Sequence, residues 1–249
     1  KIFFDRGFMI QFHSQMRIQR DFHDREADTF DTKYQRENRC HQRKIALISD
    51  ALGLKPHDTV LEVGVGTGIH AKWLLEKNAG LSLSFTGCDL SGGMIKQARE
   101  RLSIFPDVRL FVSAAEMLPL PDAAVTHAYM SSSLHHCSDK RRAVAELVRV
   151  VRPGGAIAVC EPNIISPVNM LEVLLRPVAE YGTFHVHPRA MRSMFAGLPA
   201  EITDHRLFNF TPPFPERLQS AFAAIDRYVE ASSILRYMCI MHMVVARRR

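Results

Sequence analysis

The sequence has 249 residues, of which 47% are hydrophobic, and this is enough to bury the core of one α/β domain with elaborations. Its formal net charge is +6, but the basic residues are scattered among acidic ones, which argues against a nucleic-acid-binding surface. No apolar run reaches the roughly 18 residues that a membrane span requires. The five cysteines form no C-x-x-C pair, so we expect free thiols in a reducing, cytoplasmic compartment and no metal site.

Residues 1–55 are predicted to form an N-terminal extension and a helical cap, because an apolar stripe of helical spacing runs from Ile45 to Leu54. From residue 59 onward strands and helices alternate, which predicts a doubly wound, mostly parallel α/β sheet in one domain over 56–249. The predicted strands are 59–63, 84–89, 107–112, 124–130 and 155–160, and the predicted helices are 69–78, 92–103 and 139–151. Ser91 is the predicted N-cap of the second of these helices. Residues 203–211 and 236–246 predict two further strands, separated by a helical segment around 214–232.

The first predicted strand runs directly into three glycines, Gly64, Gly66 and Gly68. Glycines at such a turn let the backbone approach a ligand at distances that a Cβ would block. A dinucleotide fingerprint needs a small residue at position 69, where this chain has Ile69, so the spacing is G-x-G-x-G. Glu62 adds a carboxylate just before the loop, which favours a ligand with a positive charge and no phosphate.

Asp89 ends the second predicted strand and precedes a predicted helix. A carboxylate at this place can accept hydrogen bonds from both hydroxyls of a ribose. The alternative is an acid that only faces the positive end of the helix dipole. Asp89 therefore indicates a nucleoside cofactor without selecting its type.

The segment VLEVGVGTG resembles motif I of the class I S-adenosylmethionine (SAM)-dependent methyltransferases, in particular the small-molecule group that includes ubiquinone-type methyltransferases. A second, longer segment from Ser113 to Gly155 resembles the same family, with A-E-x-L-P-x-P-D, a fourth strand, a His-containing loop, an amphipathic helix and R-P-G-G in order. Dehydrogenases have no counterpart to this segment. The resemblance implies SAM as cofactor and a Rossmann-like SAM-methyltransferase fold of seven strands, the last two forming an antiparallel hairpin at the sheet edge.

The resemblance also implies roles for individual residues. Glu62 would help to hold the ammonium group of SAM, Ser131 would contact its methionine part, and Met117 and Leu118 would pack near the adenine. The implied cofactor-binding residues are Glu62, Gly64, Gly66, Gly68, Asp89, Leu90, Ala115, Glu116 and Ser131. Ala114 departs from the family, which usually has an acidic residue there that accepts the adenine amino group. A lost hydrogen bond of this kind costs about 1 kcal/mol, which would weaken SAM binding without changing the cofactor.

His135 and His136 follow the fourth predicted strand, at the carboxyl edge where open α/β sheets bind ligands. Either histidine is a candidate general base, since an ordinary pKa of about 6.5 suits proton transfer at neutral pH. A base is needed only if the acceptor must lose a proton. A structural role is the alternative, because the pair recurs in family members with dissimilar acceptors.

The acceptor is expected to contact the cap before residue 55 and residues 162–199, a substrate-side insertion that contains an apolar helix around 170–178. Such a helix suits a small hydrophobic or aromatic acceptor, and equally suits burial on the domain or a homodimer contact. The predicted function is methyl transfer from SAM to a small molecule. An NAD-dependent oxidoreductase and a non-catalytic SAM-fold binding protein are the alternatives.

Overall fold

The computed structural model describes residues 6–33, 39–175, 181–210 and 225–249, and they form one seven-stranded sheet with helices on both faces. The strands are β1 (Thr59–Val63), β2 (Ser84–Asp89), β3 (Val108–Val112), β4 (His127–Ser131), β5 (Ala156–Pro162), β6 (Ala200–Phe208) and β7 (Met241–Arg248). The helices are α1 (Arg6–Glu26), α2 (Phe30–Lys33), α3 (Arg39–Leu52), α4 (Ile69–Lys77), α5 (Gly92–Leu102), α6 (Lys140–Val150), α7 (Pro167–Leu175) and α8 (Pro188–Met194). Residues 225–231 are also helical, and the remainder of the segment predicted at 214–232 lies outside the described residues.

The strand order is β3-β2-β1-β4-β5-β7-β6, which confirms the predicted fold. The first five strands are parallel, whereas β7 pairs antiparallel with both β5 and β6. The chain leaves β1 toward β2 and β3 on one side and returns to β4 and β5 on the other, so the topological switch point lies between β1 and β4. Ligands of open α/β sheets bind at this point, outside the carboxyl ends of the strands.

The two faces of the sheet carry separate apolar cores. Leu61, Met130 and Val159 belong to the core beneath α6 and α8, whereas Val60 and Tyr129 belong to the core beneath α3, α4 and α5. Neighbouring residues of β1 and β4 thus face opposite cores, as expected for strands buried on both sides. These cores hold the switch point rigidly from both faces of the sheet.

Helix starts follow local capping rules. The Ser91 hydroxyl accepts the Met94 N–H at the start of α5, which confirms the predicted N-cap, and Asp139 accepts the Arg142 N–H at the start of α6. The prediction of a strand over 236–246 was wrong in its bounds, because residues 235–238 form a 3-10 turn and the strand begins at Met241. None of the helices in the described ranges has the length and apolar content of a membrane-spanning helix.

Candidate functional site

A cavity opens at the carboxyl ends of β1, β2 and β4, at the topological switch point. Its volume is about 780 Å³ including the solvent at its mouth, within the range of roughly 300–1,000 Å³ for small-molecule sites. The predicted site residues that line it are Gly64, Gly66, Asp89, Leu90, Ala115, Glu116, Ser131 and His136. Three other predicted residues, Glu62, Gly68 and His135, are not among those that line it.

The glycines of the loop after β1 meet different constraints. Gly64 has φ 79°, and a Cβ there would lie 2.3 Å from Cβ of Ser133, so the loop and the segment after β4 touch directly. Gly66 has φ 54°, and a Cβ placed on it would have no atom of the described residues within 4 Å. Gly68 begins α4, and a Cβ on it would lie 3.1 Å from Cα of Ala98 in α5. Only Gly66 therefore leaves its space to a ligand, while the other two serve packing.

Asp89 is held in place by the backbone around it. Its carboxylate accepts the N–H of Gly66 at 2.9 Å and the N–H of Ser91 at 2.9 Å. Removal from bulk water raises its pKa, and these N–H groups act in the opposite direction. A carboxylate has about four lone-pair sites, so Asp89 can still accept a ligand hydroxyl.

Ala114, Ala115 and Glu116 form the next wall of the cavity, and position 114 carries no carboxylate. One carboxylate oxygen of Glu116 accepts the N–H of Ser138 at 2.7 Å and that of Asp139 at 3.1 Å, which ties this wall to the start of α6. Met117 is 69% exposed and does not line the cavity, and Leu118 is buried in the core. A planar ring at this wall would thus meet mostly backbone and methyl groups.

Glu62 lies on the opposite side of β1 from the cavity. Its carboxylate accepts the hydroxyl of Tyr129 at 2.8 Å and lies 4.0 Å from His70 Nδ1, and all three side chains are buried. Val63, the next residue, lines the cavity instead. The geometry therefore gives Glu62 a role in fixing β1 against β4 and α4.

His135 and His136 point to different places. His135 Nδ1 lies 2.6 Å from Glu161, whose carboxylate also accepts the N–H groups of Ser133 and Leu134. Burial acts to raise the pKa of Glu161, but His135 and these N–H groups outweigh it and hold the pKa below its ordinary value. His136 lines the cavity, with its ring centroid 3.9 Å from that of His135. Of the two candidate bases, His136 is the one that a ligand in the cavity can reach.

Two buried hydroxyl groups belong to residues in the cavity wall and make no hydrogen bond within the described part of the chain. Ser131 Oγ and Ser138 Oγ line the cavity and have no hydrogen-bond partner among the described residues. Buried polar groups are rarely left in this state, so each indicates a ligand or solvent contact. With Asp89 and Gly66, they make a site that suits a nucleoside carrying a short polar chain.

The N-terminal cap supplies the remaining wall, through side chains that no sequence motif marks. Met16, Gln19 and His23 of α1 line the cavity together with Phe30 of α2. The His23 ring stands edge-on to His136, with centroids 4.9 Å apart. All four residues precede the predicted sheet domain, and α1 runs without interruption from Arg6 to Glu26.

Carboxylates fasten this cap to the cofactor-side loops. Asp24 accepts hydrogen bonds from the Ser91 hydroxyl and the Gly93 N–H, at the start of α5. Asp31 accepts the Thr67 hydroxyl at 2.8 Å and pairs with Arg101 at 2.8 Å. A run of spaced acids, Asp24, Asp28 and Asp31, was the available signal.

Residues 61–159 match a family model described as a methyltransferase domain. Among curated proteins, a demethylmenaquinone methyltransferase of Renibacterium salmoninarum is 33% identical over 115 residues, covering 46% of this chain and 46% of that protein. The ubiquinone/menaquinone biosynthesis C-methyltransferase UbiE of Escherichia coli O1:K1 / APEC is 31% identical over 144 residues, covering 56% of this chain and 55% of that protein. The chain spans about half the length of these curated relatives.

Solved structures share the fold at low sequence identity. A putative methyltransferase in complex with the Haloferax volcanii Trm112 methyltransferase activator has a TM-score of 0.70 and 17% identity, covering 91% of this chain and 97% of that one. The [4+2]-cyclase SpnF has a TM-score of 0.60 and 22% identity, covering 84% of this chain and 80% of that one. At these identities the likeness concerns the fold alone.

Proposed function

Because the chain belongs to the class I SAM-dependent methyltransferases, we propose that it transfers a methyl group from SAM to a small hydrophobic or aromatic acceptor. When bound, SAM supplies an electrophilic methyl group on its sulfonium. The observation that carries the proposal is the cavity at the switch point, where Gly66, Asp89 and the unpartnered hydroxyl of Ser131 meet. The following assignments of residues to roles are part of the proposal.

Asp89 would bind the ribose hydroxyls, since it already has a fixed orientation from two backbone N–H groups. Gly66 would allow the backbone to approach the cofactor closely, and Ser131 would bind its methionine part. Ala115 would lie beside the adenine. Glu116 would act indirectly by holding that wall, because one of its carboxylate oxygens is already engaged with the start of α6.

The acceptor would enter between His136 and the cap. Methyl transfer is an in-line displacement that depends on placing the acceptor atom against the methyl group and excluding water. Phe30, Met16 and Met130 give the cavity apolar walls for this purpose. His136 would take the proton from an acceptor that must lose one, and the neighbouring Glu161–His135 pair would keep its loop in position.

The substrate-side insertion over 162–199 supports an apolar acceptor. Helix α7 follows the carboxyl end of β5 by only a few residues, and it leaves Leu171 57%, Leu174 68% and Leu175 73% exposed. Exposed apolar side chains of this size suit a hydrophobic acceptor, and a second copy of the chain is the competing occupant. Sedimentation of the protein with and without S-adenosylhomocysteine tests for the second copy: a dimer would mean that another chain covers these leucines, whereas a monomer would leave them to the acceptor.

The direct experiment is calorimetry with S-adenosylhomocysteine, the product form of SAM. We expect the wild-type protein to bind it, and Asp89→Ala to weaken binding at least about tenfold, because charge-assisted hydrogen bonds to the ribose are lost. Asp50→Ala is the matched control, since this exposed carboxylate on α3 lies outside the cavity. No detectable binding at millimolar concentration would sink the proposal.

Two alternative functions predict different results in two further assays, thermal unfolding with NADH and release of S-adenosylhomocysteine from SAM. An NAD-dependent oxidoreductase would be stabilised by NADH against thermal unfolding, whereas we expect no stabilisation. A non-catalytic SAM-fold protein would bind S-adenosylhomocysteine without consuming SAM. A panel of phenols, quinols and other apolar acceptors, followed by S-adenosylhomocysteine release, distinguishes it from an enzyme.

A further inference from the structure

A second cleft lies at the far end of the same sheet edge, between α8, β6 and the 3-10 turn Leu235–Met238. Phe208 of β6 pairs with Met241 of β7, and Met241 pairs with Pro162 at the carboxyl end of β5. The cleft therefore lies at the same edge of the sheet as the first cavity. Its volume is about 1,220 Å³ including the solvent at its mouth. We call it the arginine cleft, after Arg189, Arg192 and Arg236 in its lining.

The three guanidinium groups of the arginine cleft have no acidic partner within the described ranges. Other arginines of the chain are paired, such as Arg149 with Glu146 and Asp122. Asp204 lies close by on β6, but its carboxylate is engaged by Arg206 and by the His205 N–H. Positive charge in the cleft is therefore left uncompensated by the part of the protein that the structure describes.

Among the three arginines of the cleft, Arg236 has a buried nitrogen atom that lacks a hydrogen-bond acceptor within the described residues. Its Nε is buried and has no hydrogen-bond partner among the described residues, and its guanidinium carbon lies 5.5 Å from the centre of the Tyr237 ring. Leaving a charged donor buried without an acceptor is costly. An oxyanion bound to the part of this guanidinium that lines the cleft would offset its charge.

The neighbouring histidine reports the same positive field. His205 lines the cleft, and burial, together with the charge of Arg192, lowers its pKa to about 4. The imidazole is consequently neutral at pH 7 and adds no further charge to the cleft. Its Nε2 lies 3.4 Å from Nδ1 of His242, so Nδ1 is the nitrogen that remains for a ligand.

We propose that the arginine cleft binds the phosphate or diphosphate group of a small molecule. Guanidinium groups bind such oxyanions with paired, charge-assisted hydrogen bonds, and three of them suit a group with more than one negative charge. Ile165 and Leu207 line the same cleft and would contact the carbon part of the ligand. This site is separate from the SAM cavity and does not rest on the methyl-transfer proposal.

The test is calorimetry with sodium pyrophosphate and inorganic phosphate at low ionic strength. We expect pyrophosphate to bind, and Arg192→Gln and Arg236→Gln each to weaken its binding at least about tenfold. Arg109→Gln, an exposed arginine on β3 at the other end of the sheet, removes the same charge and should leave the affinity within about twofold. Circular dichroism checks folding, and Arg192 is exposed, so its variant remains informative if Arg236→Gln does not fold.

Three results would overturn the inference. The first is wild-type affinity for pyrophosphate in both Arg192→Gln and Arg236→Gln. The second is loss of pyrophosphate binding when S-adenosylhomocysteine is present at saturation, which would place the anion in the SAM cavity. The third is equal affinity for acetate and pyrophosphate, which would rule out selection of a phosphate group. Failure to bind S-adenosylhomocysteine would instead count only against the methyltransferase proposal.

Discussion

Replacing Gly64 by alanine should destabilise the protein chiefly through a collision with Ser133. A built Cβ on Gly64 lies 2.3 Å from Ser133 Cβ and 2.6 Å from its Oγ, whereas the next atom, Ser133 Cα, is 3.8 Å away. Left-handed backbone costs an L-residue about 1–2 kcal/mol, and overpacking of this kind adds about 1–3 kcal/mol. We expect Gly64→Ala to lower the free energy of unfolding by roughly 2–5 kcal/mol.

Two companion variants separate the contributions. In Gly66→Ala the new Cβ meets no atom of the described residues within 4 Å, so the free energy of unfolding should fall only by the cost of left-handed backbone, about 1–2 kcal/mol. Relative to its loss of stability, Gly66→Ala should reduce the affinity for S-adenosylhomocysteine more than Gly64→Ala does. Ser133→Gly removes the colliding atoms, and it also removes the hydrogen bond from Ser133 Oγ to the Val63 carbonyl. In the double variant Gly64→Ala/Ser133→Gly, the collision is absent.

Urea unfolding of the wild type, Gly64→Ala, Ser133→Gly and the double variant gives the interaction energy between positions 64 and 133. We expect the double variant to be more stable than the sum of the single effects by about 1–3 kcal/mol. Strict additivity would refute the steric reasoning, since the cost at position 64 would then owe nothing to Ser133. Equal losses in Gly64→Ala and Gly66→Ala would refute it as well.

Three further predictions concern charge and packing elsewhere. Burial and the neighbouring His205 lower the pKa of His242 to about 3, so the folded state carries no protonation penalty above the unfolded pKa of about 6.5 and loses roughly 2 kcal/mol of stability by pH 5. His242→Phe should flatten this part of the pH dependence of the free energy of unfolding, measured with urea, and an unchanged slope would contradict the prediction. Asp24→Ala should weaken S-adenosylhomocysteine binding several-fold and speed proteolysis within residues 6–33, because the hydrogen bonds from Ser91 and Gly93 to Asp24 are lost. The control Asp21→Ala, on the exposed side of α1, should change neither the affinity nor the rate of proteolysis. Glu161→Gln should cost about 1–3 kcal/mol of stability by thermal or urea unfolding, and a loss below 0.5 kcal/mol, on the order of a surface substitution, would count against its role.

The fold was largely predictable because local signals agreed with one another. The glycine loop, the alternation of strands and helices and the Ser91 cap each depend on residues close together in sequence. The start of β7 was less so, since the apolar residues of 235–238 read like strand residues and instead form a 3-10 turn before Met241. Apolar character alone does not separate these two uses.

The site was predictable only in part, for reasons of direction and distance. Successive side chains of a strand point to opposite faces of the sheet, so Glu62 and Val63 of β1 face opposite ways. This alternation can be read from the sequence, and it indicates that Glu62 faces the core that contains Tyr129. The clasp from Asp24 to Ser91 joins residues 67 positions apart, and no periodicity predicts such a contact. For the same reason the arginine cleft, which joins residues from four separated segments, has no sequence motif.

The antiparallel strand β7 has a consequence for how the chain reaches this structure. It follows β6 in sequence, yet it lies between β5 and β6 and is the strand with which β6 pairs. Ala156 pairs with Arg247, so the sheet closes only by joining segments about ninety residues apart, and contacts of such long range slow folding. Until β7 arrives, the backbone N–H and C=O groups of β5 and β6 stay open to other chains. During synthesis, the aggregation hazard of this protein therefore lies at the edge that β7 later seals.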